Sequence, residues 1–295
     1  MTVGNVGRPF DWHTHAASLL AVAVLMGGYL WAVRRRPEWE ATRRQKALFV
    51  LGSLVLAGAV TWPLGDLAAH WLLVALVFQR LLLTLVVPPL LILGTPRELL
   101  VRLTRPAAID SVVPVAVRPL PAVGIVTVVA VGTLTTGVVA LTSRSDLARV
   151  VVELVVLASG FVLWAPVLNE LPGAPRLSSL GRGGYLIVQS IVPSFLSIVW
   201  IFARHPLYPS FRHPSRVVSL SPLLDQQLAG FLAKLATIAV LWSVAFVVMT
   251  RGEEAERRGE DADPLLWSDV ERELERAKRR DRGRGRSSWR PPTGW

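Results

Sequence analysis

Seven apolar stretches, near residues 17–33, 47–63, 71–93, 120–142, 150–168, 185–203 and 226–249, constrain this chain more than any other feature. A helix needs about 20 apolar residues to cross the hydrocarbon core of a bilayer, and each stretch is close to that length. Lipid offers no partner to open backbone groups, so the stretches are expected to be helices. The expected fold is an all-α, polytopic membrane bundle of seven transmembrane helices. The membrane domain covers 1–250, and a tail covers 251–295. Pro63 and Gly65 blur the end of the second span.

Arginine and lysine then set the sides. One set of connections holds Arg34, Arg35, Arg36, Arg43, Arg44 and Lys46, then Arg97, Arg102, Arg105 and Arg118, then Arg176, Arg182 and the basic tail. The opposite set holds only Arg8, Arg144, Arg149, Arg204, Arg212 and Arg216. Cationic loops stay cytoplasmic, so the N-terminus is expected outside and the C-terminus inside. Arg8 is the one basic residue before the first stretch, and Arg34-Arg35-Arg36 follows it. That order describes an uncleaved helix rather than a signal peptide.

The net charge of +11 first suggests a nucleic-acid partner. Its distribution over the inner loops argues instead for insertion and anionic headgroups, so the lipid bilayer is the partner and nucleic acid is not. The tail offsets its arginines with acidic runs such as Glu253-Glu254. There is no cysteine, which excludes disulfides, thiolate metal sites and thiol catalysis. Three methionines, Met1, Met26 and Met249, cannot make a methionine-rich copper relay. Hydrolase patterns and nucleotide loops are missing, and the chain does not read as an enzyme.

The inner connection 94–119 carries four prolines and alternating apolar residues, and is expected to lie along the inner interface. In the tail, Ser268-Asp269-Val270-Glu271 has the form of a capping box. A short helix follows it, with Lys278, Arg279 and Arg280 at its C-terminal end. The basic end beyond reads as disordered.

Three motifs stand out. The third span reads Phe78-Gln79-Arg80-Leu81-Leu82-Leu83, then Val87-Pro88-Pro89-Leu90-Leu91-Ile92-Leu93-Gly94-Thr95-Pro96. The fifth ends Gly160-Phe161-Val162-Leu163-Trp164-Ala165-Pro166. The seventh opens with Asp225-Gln226-Gln227-Leu228-Ala229-Gly230. Together they resemble the CtaG-like family of cytochrome c oxidase assembly proteins, over about 25–235. The resemblance implies a bacterial seven-helix protein that helps copper reach a haem–copper oxidase. Its partners would be cytochrome c oxidase subunits or a copper chaperone, at the outer face of the cytoplasmic membrane.

The departures concern the metal. The resemblance implies histidines where this chain has Leu76 and Arg80, and four residues apart they would share one helix face. It implies another histidine at Leu154, beside the matching acid Glu153. A Trp–His–Pro-type stretch is replaced around Thr133–Gly137. A methionine is replaced by Ala233 and the aromatic after it by Lys234. Against the family, the buried metal site looks lost.

Arg80, Glu153 and Lys234 are the charges inside the expected spans, on three helices. At about 1.5 Å per residue, Arg80 and Lys234 lie ~13 Å from the outer ends and Glu153 ~5 Å. Charges in spans face the bundle interior and one another, or snorkel to the interface. The first alternative predicts an ion-pair cluster of Arg80 and Lys234 with Glu153, Asp225 and Asp66. The second sends both cations outward. A transporter with a charged path through Arg80 and Lys234 is the rival to an assembly role. Pro88-Pro89 is expected to make a fixed kink.

All five histidines, His13, His15, His70, His205 and His213, fall on the expected outer side. Neutral imidazole suits copper. Either they form an outer-face copper site, or they are interface residues that share no site. No other cofactor is expected.

Overall fold

The computed structural model describes residues 16–36, 41–104, 113–168, 177–211, 219–257 and 275. Every regular element among them is helical, in keeping with the all-α expectation. The helices are α1 (Ala16–Arg35), α2 (Arg43–Val60), α3 (Leu64–Trp71), α4 (Leu73–Gly94), α5 (Arg97–Leu103), α6 (Pro119–Thr133), α7 (Thr136–Thr142), α8 (Asp146–Leu168), α9 (Ser179–Phe202) and α10 (Pro222–Arg257). By contacts the chain divides into two units, Met1–Gly252 and Glu253–Trp295. The tail helix expected from Ser268 lies outside the described residues.

Five helices, α1, α4, α8, α9 and α10, are long and apolar enough to cross a membrane, and there are up to seven if each of two bent pairs is one span. The second and fourth expected spans correspond to these bent pairs. Between α2 and α3 the axis turns by 45°, and between α6 and α7 by 67°. Pro63 lacks the amide that would continue α2. In the fourth span Thr133, Thr135, Thr136 and Gly137 are weak helix formers. The Thr135 hydroxyl donates to the Gly132 carbonyl at 2.8 Å and satisfies the frayed end of α6 locally.

Helix starts follow side-chain signals. The Thr42 hydroxyl accepts from the Gln45 amide, and the Gln45 side chain accepts from the Thr42 amide, a capping box that opens α2 four residues ahead of the apolar run. The Ser221 hydroxyl accepts from the Leu224 amide, with Pro222 at the first helical position, so α10 also begins before its apolar run.

The central helix is α4, which packs on α2 and α8. One apolar cluster joins Trp71, Leu73 and Leu76 to Trp200, Tyr208 and Phe211 at one end of the bundle. A second joins Leu85 and Ile92 to Leu163, Trp164 and Leu186 nearer the other. A third seats α1 and α2 on α4 through Tyr29, Phe49 and Leu83. Many large apolar side chains point outward, such as Leu120, Val128, Phe202 and Phe246. Such a surface suits lipid rather than water.

Candidate functional site

Leu72 is extended, and α4 begins at the next residue with no cap from its own sequence. The cap comes from α10. The Asp225 carboxylate, fully buried, accepts from the Leu73 amide at 2.7 Å and the Val74 amide at 3.1 Å. Two orphan donors at the positive end of α4 receive an anion. The next two residues of the motif also hold backbone. Gln226 accepts from the Leu207 amide at 2.7 Å, and Gln227 donates to the Ala203 carbonyl at the end of α9. At Gly230 a side chain would meet the Ser197 carbonyl at 2.9 Å, so glycine lets α9 and α10 cross closely. The Asp-Gln-Gln motif thus ties the start of α4, the loop at Leu207 and the end of α9 to α10.

The loop that Gln226 holds closes a further break. The Tyr208 hydroxyl donates to the Leu134 carbonyl at 2.5 Å, where α6 stops, and the ring meets Trp200 edge-on. Burial pushes this phenol, which lies outside the spans, up to about 12.

Two turns into α4 lies the polar centre of the bundle. Gln79 is buried, and its amide nitrogen donates to the Ala59 carbonyl at 2.9 Å and to Glu153 Oε1 at 3.0 Å. Both donors of that amide are therefore used, one on α2 and one on α8. The neighbouring Arg80 is 7% exposed and feels the charge of Glu153. Its Nε and Nη1 are buried without a hydrogen-bond acceptor among the described residues. It lines a cavity of about 100 Å³ between α4, α6, α8, α9 and α10.

The proline and tryptophan motifs form one unit below it. α4 passes through a π-helical turn at Leu82–Val86, and the Val87 amide reaches back to the Leu82 carbonyl. Pro88 and Pro89 carry no amide, so carbonyls one turn earlier lose their helical donor. The Trp164 indole donates to one of these, the Thr84 carbonyl, at 3.0 Å. A side chain at Gly160 would stand 2.6 Å from Pro88 Cγ. Glycine there lets α8 approach the kink, and the indole four residues on repairs it. At the far end Tyr29 donates to the Gly94 carbonyl at 2.8 Å and stacks on Phe49. A side chain at Gly94 would strike the Phe49 backbone at 2.5 Å.

Of the residues singled out in the sequence, Arg80, Gln79 and Glu153 are brought together. Asp225 spends its carboxylate on α4, and Asp66 is buried in α3. Lys234 is half-buried one helical position from Ala233, which lines the cavity, but does not line it itself. Neither Arg80 nor Lys234 stands at ion-pair distance from a carboxylate among the described residues; Arg149 pairs with Asp146 at 2.8 Å. His70 and His205 are exposed. His13, His15 and His213 lie outside the described residues. Among the described residues no three His, Asp or Glu side chains gather as a metal site. Gln189 was not foreseen. It is 1% exposed in α9, and both amide atoms lack a partner among the described residues. An amide isolated in the apolar run of the sixth span was the available signal.

A bundle of apolar helices, closed by backbone-holding polar residues around a small buried charged centre, defines a multi-pass membrane protein. Its motif residues are spent largely on helix–helix geometry. The chain belongs to the cytochrome c oxidase caa3 assembly factor family, whose pattern matches residues 27–252. No curated protein and no solved structure matches it.

Proposed function

We propose that this chain is a non-catalytic accessory protein for assembly of caa3-type cytochrome c oxidase, seated in the cytoplasmic membrane. It acts by protein–protein contact with oxidase subunits or a copper chaperone at the outer face, and its bundle holds no copper. The family match over nearly the whole membrane unit carries this reading. The side chains at the ligand positions do not fit a buried copper ion. Leucine and alanine at Leu76, Leu154 and Ala233 have no donor atom, and the guanidinium of Arg80 is always protonated. Copper prefers imidazole and soft sulfur ligands, and these positions offer it neither.

The experiment is deletion of the gene in its host. Membranes should then hold less assembled caa3 oxidase, read as haem a absorbance and copper-containing subunit, and a restored copy should recover it. Unchanged oxidase in the deletion strain would overturn the assembly role.

A further inference from the structure

The cavity beside Arg80 has the composition of a binding site rather than of a packing fault. A dry void in a helix bundle is lined by apolar groups. Here the walls are apolar, with Val77, Val126 and Leu241 among them, yet Arg80 and Gln189 both line the space. Arg80 keeps Nε and Nη1 without an acceptor, and Gln189 keeps both amide atoms without a partner, among the described residues. Both side chains are more than nine-tenths buried. Each such group left unmade costs the full desolvation of a polar atom, and more where the group is charged. Glu153 supplies neither Arg80 atom with an acceptor; it accepts from Gln79 and acts on Arg80 as a nearby charge.

We propose that this cavity binds a short-chain carboxylate, with the ligand's oxygens on Arg80 and Gln189 and its alkyl part against the valines and leucine. A carboxylate supplies acceptors to the guanidinium in charge-assisted hydrogen bonds, which are the strong ones. The Gln189 nitrogen donates to the same headgroup. The size keeps the ligand short: about 100 Å³ is less than the ~150 Å³ cavity that takes benzene, which has as many heavy atoms as butyrate, so butyrate marks the upper bound. The site stands whether or not the chain acts in oxidase assembly.

The test uses the full chain, purified in detergent, with butyrate as probe and butyramide as its neutral counterpart, at constant ionic strength. A ligand that binds only the folded protein raises the melting temperature with its concentration. Butyrate should give a saturable rise and butyramide should not. Arg80→Gln should weaken the apparent butyrate affinity about 10- to 100-fold, the worth of a charge-assisted hydrogen bond. Gln189→Leu should weaken it too, and it decides the matter if Arg80→Gln does not fold. No saturable rise with butyrate would overturn the proposal and leave a hydrated cavity. An equal rise with butyramide would overturn the claim of an anion. A butyrate effect that survives in every variant that folds would overturn the assignment to these residues.

Discussion

Asp225 shows how much one side chain can fix. Its two oxygens hold the first amides of a helix that lies about half the chain away in sequence. Bonds from charged groups contribute roughly 1.5–3 kcal/mol each. Asp225→Ala should cost about 2–4 kcal/mol of unfolding free energy in mixed micelles, and Asp225→Asn, which keeps one acceptor, should cost less. Equal stability of the alanine variant and wild type would refute the cap. Arg80 and Glu153 pose the second residue-scale question. If the carboxylate compensates the guanidinium, Glu153→Gln leaves a buried cation alone. Removing one partner of a buried pair costs ~3–5 kcal/mol in soluble proteins and less in membranes. Replacing both Arg80 and Glu153 by leucine should then be milder than Glu153→Gln alone. A neutral Glu153→Gln would show that Arg80 does not depend on Glu153.

Among the elements, α4 and α8 are coupled at a single defect. Pro88 and Pro89 deprive the preceding turn of donors, and Trp164 returns one to Thr84. Trp164→Phe should therefore destabilise the bundle by about 1–3 kcal/mol, the cost of a buried carbonyl left unpaired. Pro88→Ala restores a backbone donor in the kinked turn. In that background Trp164→Phe should cost less, with a coupling of at least ~0.5 kcal/mol in a double-mutant cycle. Strictly additive effects would mean that the indole bond and the proline break are independent. The proline pair was legible in the sequence as a kink. Its repair was not, because Trp164 is 80 residues away and the bond exists only once Gly160 has let the helices touch.

For the whole molecule, the charge bias of the loops predicts orientation. A reporter fused after residue 250 should be active only when it is a cytoplasmic one, and activity of a periplasmic reporter there would invert the topology. Seven crossings require that each bent pair, α2 with α3 and α6 with α7, count as one span. The sequence marked the first place by Pro63 and Gly65. The second was read as one unbroken span, and its threonines with Gly137 were the available signal. The angle of each bend was not legible. It depends on what packs into the break, as Tyr208 does at Leu134.

The sequence by itself determined the helical class, the number and approximate place of the apolar stretches, and the family. Those follow from local quantities: the length of an apolar run, the spacing of prolines, and motifs of a few residues. It also marked Gln79, Arg80, Glu153 and Asp225 as unusual, because polar groups are costly in lipid wherever the fold places them. Only the tertiary structure decided what each one meets. Asp225 and Arg80 both carried charge into the same expected cluster, yet one caps a helix and the other faces a cavity with Gln189. Hydrogen bonds form over about 3 Å, and that separation is set by how helices cross, which no single stretch of the chain encodes.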